Sequence, residues 1–265
     1  MIAKWLEHFR VRRILKRFPI PHETWHHLMT ADPLFHGLSA VEKARLREMA
    51  TVFLHRKYFK GAQGQVVTSE MGAAISAQAA LLVLNLGLDT LDGCNDIIVY
   101  PSAFRVRREA HDELGLVRQE DNVLAGESWS YDGPVVLAWD EAEAELSENH
   151  PGHNVVLHEF AHKLDMLNGK ANGMPPLHAE MNRAVWTQAF SQAFEHLQAQ
   201  LAHYHNPDIN SYAATSPAEF FAVTTEYFFT APKRLKQHFP GVYEQLKQYY
   251  RQDTLHRAQS ADSGF

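Results

Sequence analysis

The chain contains very little cysteine. Cys94 is the single cysteine among 265 residues, which excludes an internal disulfide framework and a thiolate zinc cluster. A reducing compartment is the simplest setting for such a chain, so we expect a cytoplasmic protein. Any metal site must therefore be built from histidine and carboxylate side chains.

An excess of positive charge and long apolar runs are also missing. Lys and Arg number 25 against 31 Asp and Glu, which gives a net charge of −6. A duplex-binding surface needs an excess of basic residues, so we expect no direct contact with nucleic acid. No stretch reaches the roughly 18 apolar residues of a membrane span, and the N-terminus lacks the apolar region of a secretory signal. We therefore expect no stable membrane insertion.

The most informative pattern that is present is the pentapeptide His158-Glu159-Phe160-Ala161-His162. Two imidazoles four residues apart project from one face of a helix. Zinc binds neutral imidazole nitrogen, and a glutamate beside the first histidine can take a proton from a zinc-activated water. Chance alone produces the pattern about 0.08 times in a chain of this composition. The motif predicts one Zn²⁺ per chain, with His158 and His162 as ligands and Glu159 as the general base.

The residues around the motif predict that it lies on a helix. An apolar stripe at helical spacing runs through it, formed by Val156, Phe160, Leu164 and Leu167. Asn168-Gly169 supplies the helix stop. Asp165 lies seven residues after His158 on the face that carries the histidines. It either accepts an imidazole N–H and fixes the tautomer, or it is an ordinary exposed acid.

The order of elements along the chain is helices, then strands, then helices. Helices are predicted at 39–55, 69–86, 179–202, 216–230 and 240–251, and strands at Asp96–Tyr100 and Pro134–Trp139. This order predicts an α+β fold in which helices dominate. The part of the second strand from Val135 to Trp139 is our candidate for a sheet edge along which extended peptide pairs.

We expect a single domain over residues 21–251. The basic segment before it, residues 1–20, is either a solvated helix, a frayed terminus or a helix that contacts membranes. Residues 252–265 are polar and are expected to form a flexible tail.

A zinc held by two histidines of one helix needs a further ligand, and two downstream glutamates qualify. Glu219 and Glu226 are seven residues apart and share one helix face. Either carboxylate can bind zinc or orient a ligand. Glu219 also fits a capping box with Ser216, and Glu226 also fits an exposed helix charge. Tyr212, in the irregular segment before this helix, is either a phenol that donates to the oxyanion of a cleaved amide or a buried structural tyrosine.

In four blocks between Trp25 and Arg251, the sequence resembles the Mlc titration factor A family of bacterial zinc peptidases. The blocks are 91–101, 126–139, 158–165 and 212–229, of which the last two are the most specific. The catalytic region of that family is similar to the protease domain of anthrax lethal factor. The resemblance implies a mainly helical, zincin-like fold with a small mixed sheet packed on the motif helix.

The resemblance also assigns roles to single residues. It makes His158, His162 and Glu219 the zinc ligands, because the family's spacing of seven between a tyrosine and the liganding glutamate is met by Tyr212 and Glu219. It makes Glu159 the general base and Tyr212 an active-site phenol. It further implies aminopeptidase-like activity on small peptide substrates and binding to the transcriptional repressor Mlc.

Three functions follow from these patterns. The leading hypothesis is a cytoplasmic zinc peptidase of the gluzincin type. The alternative is a non-catalytic regulator that sequesters a transcription factor and holds zinc for structure, although a structural site has no need of Glu159 as a base. The third is a metal-free helical scaffold.

Overall fold

The computed structural model describes residues 2–102, 104–111, 117–124, 126–128, 131–147, 150–203 and 206–262. Trp129, which belongs to one block of the resemblance, lies outside these residues, as do residues 263–265 of the expected tail. The α-helices are α1 (Ile2–Arg17), α2 (His22–Ala31), α3 (Ala40–Arg56), α4 (Ser69–Leu82), α5 (Trp139–Ser147), α6 (Val155–Asp165), α7 (Arg183–Ala202), α8 (Pro217–Thr230), α9 (Pro232–His238), α10 (Pro240–Tyr250) and α11 (Thr254–Asp262). The strands are β1 (Tyr58–Gly61), β2 (Asp96–Tyr100), β3 (Phe104–His111), β4 (Val117–Leu124), β5 (Gly126–Ser128) and β6 (Val135–Ala138).

The predicted helices are present, with shifts of a few residues at their ends. α3 begins after Ser39, where a capping box forms because Ser39 Oγ accepts from Glu42 N–H at 3.2 Å and Glu42 Oε2 accepts from Ser39 N–H at 2.8 Å. Helices dominate and the sheet is small, so the predicted α+β class is confirmed. Within the described residues, no helix combines the length and the apolar character that a membrane span requires.

The main sheet has the strand order β1-β2-β6-β5. β1, β2 and β6 are parallel, and β5 runs antiparallel to β6 with Glu127 opposite Val136. β6 is therefore bonded on both sides, and the prediction that Val135–Trp139 forms a sheet edge is wrong. All four residues of β6 are buried, as expected for a strand covered on both faces. Among the described strands, β1 and β5 form the two edges of this sheet, and β3 and β4 form a separate antiparallel pair.

The motif helix α6 lies at the centre of the molecule. It packs against β5 and β6 on one side and against α4 and α8 on the others. Val156, Phe160 and Leu164 of its apolar stripe are buried, and Phe160 meets Phe53 of α3 edge to face with ring centroids 5.6 Å apart. Burying a side chain of this size contributes about 1.5–3 kcal/mol. The core contacts therefore fix which face of α6 is left for the two histidines.

Both ends of the chain fold against the body of the protein. α1 packs on α3, while Arg12 and Arg13 stay exposed, so the segment is helical and not a frayed terminus. The expectation of a flexible tail is wrong for residues 254–262, which form α11. Gln252 Nε2 donates to Leu81 O at 2.8 Å, and Arg257 donates to Gln252 Oε1 at 2.8 Å. These polar side chains are buried because they bond to the core and to each other, not to solvent.

Gly152, three residues before α6, provides a test of this packing. Its φ is +84°, and a Cβ there would lie 2.1 Å from Cζ of Tyr227. Gly152→Ala should lower the free energy of unfolding by about 2–4 kcal/mol, since backbone strain and overpacking add. Gly64 has the same φ of +84°, but a Cβ there would meet no other atom within 4 Å, so Gly64→Ala isolates the backbone cost of about 1–2 kcal/mol. Urea unfolding of both variants measures the difference, and equal losses would contradict the packing described here.

Candidate metal centre

The start of α6 is held by two buried side chains. Asn154 is the N-cap, and its Oδ1 accepts from Leu157 N–H at 2.7 Å. Both carboxylate oxygens of Glu145, from α5, accept from Val155 N–H at 3.1 and 3.0 Å. A negative charge at a helix N-terminus is favourable because it meets the positive end of the helix dipole. The backbone of α6 is thus fixed one turn before the first histidine.

Three side-chain atoms that could bind a metal ion converge from two helices, α6 and α8. His158 Nε2 and His162 Nε2 lie 3.2 Å apart, and Glu219 Oε2 of α8 lies 3.1 Å from the first and 3.3 Å from the second. Zinc with ligands at about 2.0–2.1 Å in a tetrahedron separates those ligands by about 3.3–3.4 Å. The three separations therefore match one face of such a tetrahedron, and among the described residues these three form the group of side chains that can hold a metal ion.

The chemistry of the three atoms also fits a bound cation. Glu219 Oε2 is buried and makes no hydrogen bond of good geometry within the described part of the chain, and a buried charged oxygen in that state is costly. Burial acts to raise the pKa of Glu219, but the imidazoles of His158 and His162 outweigh it and lower the pKa. Glu219 is thus held as a carboxylate that faces two ring nitrogens, the arrangement that a divalent cation would satisfy.

Local sequence explains why Glu219 faces the histidines. Ser216 caps α8 by accepting from Glu219 N–H at 3.2 Å, and Pro217 occupies the first helical position. The backbone of Glu219 serves the cap, while its carboxylate reaches toward His158 and His162. Only the Ser216 half of the predicted capping box is present, because the Glu219 carboxylate faces the histidines and not Ser216 N–H.

Glu226 lies on the other side of the His158 ring. Its Oε1 is 2.7 Å from His158 Nδ1, and its Oε2 accepts from Asn154 N–H at 2.7 Å. Because a carboxylate only accepts, His158 carries its proton on Nδ1 and directs the Nε2 lone pair toward the other ligand atoms. Glu226 is 4% exposed, so it is not the exposed helix charge that the sequence also allowed. It orients a histidine.

Asp165 has neither of its two predicted roles. It is fully buried, and its Oδ2 accepts from Asn172 N–H at 2.8 Å and from Gly173 N–H at 2.7 Å. The carboxylate therefore anchors the loop that follows α6. The sequence suggested an imidazole partner or an exposed acid, because spacing along α6 gives no information on where the following loop returns.

Glu159 lies between the two histidines in sequence and is 3% exposed. Its Oε2 makes no hydrogen bond to another described residue. Burial raises the pKa of Glu159 to about 7, although the imidazoles of His158 and His162 act in the opposite direction. A carboxylate with a pKa near neutrality can both accept and return a proton at physiological pH.

Tyr212 lies at the edge of the site and is half exposed. It belongs to a short 3-10 helix, Ser211–Ala214, and its ring centroid is 6.1 Å from that of His158. An exposure of 52% excludes the alternative of a buried structural tyrosine. Burial of part of the ring, with the carboxylates of Glu219 and Glu159 nearby, raises the pKa of Tyr212 to about 12. Its hydroxyl thus stays protonated and available as a donor.

Sequence reasoning missed a buried polar network behind the site. Asn154 Nδ2 donates to Gln78 Oε1 at 3.3 Å, and Gln78 Nε2 donates to Asp32 Oδ2 at 2.9 Å. Burial raises the pKa of Asp32 to about 6, against the lowering effect of the Gln78 bond. Gln78 and Asp32 lie far before the motif in sequence, so no spacing pattern identifies them.

Comparisons with known proteins agree with this geometry. Residues 6–251 match the model of a family described as Glucose-regulated metallo-peptidase M90. The chain is similar to Mlc titration factor A of Yersinia pestis (strain Pestoides F), with 39% identity over 236 residues, 88% of this chain and 86% of that protein. The proteins of the same name from Yersinia pseudotuberculosis serotype O:3 (strain YPIII) and Yersinia pestis (strain Nepal516, biovar Antiqua) match with the same identity and coverage.

The two glutamates of α8 should differ in their effect on metal affinity. Glu219→Gln removes a charged ligand atom, so we expect Zn²⁺ affinity to fall by more than about 100-fold, whereas Glu226→Gln removes an orienting partner and should cost about 10- to 100-fold. Competition with a fluorescent zinc chelator measures both, with Glu195→Gln on α7 as a surface control. If Glu226→Gln lowered the Zn²⁺ affinity as much as Glu219→Gln or more, the assignment of Glu219 as ligand and Glu226 as orienting residue would be contradicted.

Proposed function

Because the chain belongs to the family of glucose-regulated M90 metallopeptidases, we propose that it is a zinc-dependent peptidase of the gluzincin type with aminopeptidase-like activity. The observation that carries the proposal is the convergence of His158 Nε2, His162 Nε2 and Glu219 Oε2 beside the buried carboxylate of Glu159. The cytoplasm, expected from the single cysteine, is its proposed location.

Zinc is the metal that best fits the proposed ligand set. Two imidazoles and one carboxylate make up the ligands of the catalytic zinc in several peptidases, and three protein ligands leave a fourth position for water or substrate. Zinc bound there would lower the pKa of water from 15.7 to about 7 and polarise a substrate carbonyl. One ion per chain is proposed.

Glu159 is the proposed general base. Its pKa of about 7 lets it accept a proton from the attacking water and then donate that proton to the departing amine. Burial of Glu159 raises this pKa, so the packing that buries the motif helix also tunes the base. Glu226 keeps the His158 ring in one tautomer throughout, since its carboxylate accepts from Nδ1.

Tyr212 and β5 are proposed to position the substrate. The phenol of Tyr212 is protonated at neutral pH and lies beside His158, so it can donate to the oxyanion that develops as the amide is attacked. We propose β5, not β6, as the sheet edge along which the peptide substrate pairs. It ends the main sheet, contacts α6, and can pair through its backbone with an extended peptide.

A second candidate function follows from the name of the relatives. Proteins called Mlc titration factor A are 39% identical to this chain, and we propose that this chain also binds the repressor Mlc. The non-catalytic alternative, a regulator with structural zinc, leaves the buried Glu159 without a role. Hydrolysis and repressor binding are compatible if they use different surfaces.

Glu159→Gln tests the peptidase proposal. The amide keeps the shape of the side chain but cannot accept a proton, so we expect Zn²⁺ content to stay near one per chain while peptide hydrolysis falls by about 100- to 10,000-fold. Zinc analysis and peptide turnover on the same sample measure both quantities. Near-normal turnover would show that another group activates the water. Binding of Mlc, measured on the same variant, should be unchanged.

Tyr212→Phe tests the role of the phenol. It deletes one hydroxyl and keeps the ring, so kcat should fall by about 10- to 1000-fold with little change in KM. Zinc content and thermal stability serve as controls, and both should match the wild type because the side chain is half exposed. Lower stability with full turnover per folded molecule would instead make Tyr212 a structural residue.

A further inference from the structure

An apolar cavity lies between α7, the loop after α6 and the start of α8. Its volume is about 160 Å³, and four aromatic side chains line it. Trp186, Phe190 and Phe220 are buried at its base, and Phe194 is partly exposed at its side. The exposed residues at its opening are Asn172, Thr187, Ser191, Glu195 and Pro217.

Gly173 ties this cavity to both helices that bear the candidate ligands. Its N–H donates to Asp165 Oδ2 of α6 at 2.7 Å, and its carbonyl accepts from Trp186 Nε1 at 3.1 Å. Its φ is +79°, and a Cβ there would lie 2.4 Å from Pro217 O at the start of α8. Only glycine fits such a position without strain. The cavity wall is therefore built directly onto α6 and α8.

The cavity and the candidate metal centre are built on the same two helices. Asp165, which holds the cavity loop, comes three residues after His162 on α6. Pro217, which lines the cavity, comes two residues before Glu219 on α8. Consecutive Cα atoms are about 3.8 Å apart, so Pro217 Cα lies within about 7.6 Å of Glu219 Cα, a separation that about two residues of an extended peptide span.

Volume and lining select one kind of occupant. An apolar cavity of about 150 Å³ stays dry and binds benzene, and this one has a similar volume of about 160 Å³. Aromatic rings attract one another in edge-to-face and offset geometries. Neither lysine nor arginine lines the cavity, and its one acidic residue, Glu195, is at the opening. An uncharged ring the size of benzene satisfies these conditions, whereas an anionic group does not.

We propose that this cavity is the specificity pocket of the enzyme and takes the benzyl ring of a phenylalanine that flanks the scissile bond. The inference rests on the proposed peptidase function. It goes beyond that function by naming the substrate side chain and the residues that select it. Trp186, Phe190 and Phe220 are the selecting residues.

A pair of peptides and a pair of variants test the proposal. In Ala-Phe-Phe-Ala every peptide bond is flanked by phenylalanine, and tetra-alanine is the reference. Wild-type kcat/KM should be at least about 10-fold higher for the phenylalanine peptide, since its ring buries as much apolar surface in the cavity as several methylene groups. Ser191→Trp, which places an indole at the cavity opening, should remove most of this preference, measured as the ratio of the two kcat/KM values. Gln192→Trp, on the same helix but not lining the cavity, should change neither rate.

A binding measurement separates this proposal from the proposed function. Calorimetry with N-acetyl-phenylalanine amide on Glu159→Gln protein should show binding that N-acetyl-alanine amide lacks, and adding Ser191→Trp should abolish it. That result supports the pocket even if the wild-type protein cleaves no peptide. Absence of cleavage together with this binding would contradict only the peptidase proposal.

Three outcomes would overturn the pocket. They are equal wild-type kcat/KM for the two peptides, equal slowing of both peptides by Ser191→Trp, and unchanged calorimetric binding in the doubly substituted protein. Loss of Mlc binding in Ser191→Trp, without any phenylalanine preference in the wild type, would assign the cavity to a protein partner and would also overturn it.

Discussion

The Glu226 carboxylate joins the two helices on which the site depends. One oxygen accepts from the N–H of Asn154, where α6 begins, and the other accepts from the ring of His158 one turn later, both at 2.7 Å. A buried carboxylate is costly unless its oxygens are satisfied, and hydrogen bonds to a charged group contribute about 1.5–3 kcal/mol each. Because Glu226 and Glu219 share α8, this bridge also sets where Glu219 meets the histidines.

Packing and charge act on the same few residues. The apolar face of α6 is fixed by the core, and Asn154 and Glu145 fix its first turn. Three carboxylates, those of Glu159, Glu219 and Glu226, then lie around two imidazoles in a buried region. The negative charges of neighbouring carboxylates repel each other strongly in a buried region of low polarity. A divalent cation at the ligand atoms would offset this repulsion, which gives a physical reason for building a metal site here.

The sequence predicts the parts of the site that follow from local spacing. The i and i+4 histidines, the helix that carries them and the shared face of Glu219 and Glu226 all follow from helical periodicity. Spacing alone leaves open which glutamate faces the metal position, and the resemblance to a family selects Glu219, in agreement with the observed geometry. The role of Glu226 is decided by a contact across 68 residues, which periodicity does not report.

The features that the sequence does not predict depend on long-range packing. β5 has three residues and no alternation, so its place at the sheet edge follows only from pairing with β6. The composition of residues 252–262 is that of a polar tail. Their order depends on a distant contact, because Gln252, just before α11, bonds to Leu81 O, 171 residues away. The aromatic cavity arises from residues of α7 and α8 that would otherwise be taken for ordinary core positions.

The central claim is that His158, His162 and Glu219 hold one zinc ion. Anomalous X-ray scattering at the zinc absorption edge, from crystals grown with Zn²⁺, tests it most directly. The account predicts one strong peak per chain, at about 2.0–2.2 Å from His158 Nε2, His162 Nε2 and a carboxylate oxygen of Glu219. No peak at that position, or a peak bound by Glu226 in place of Glu219, would contradict it.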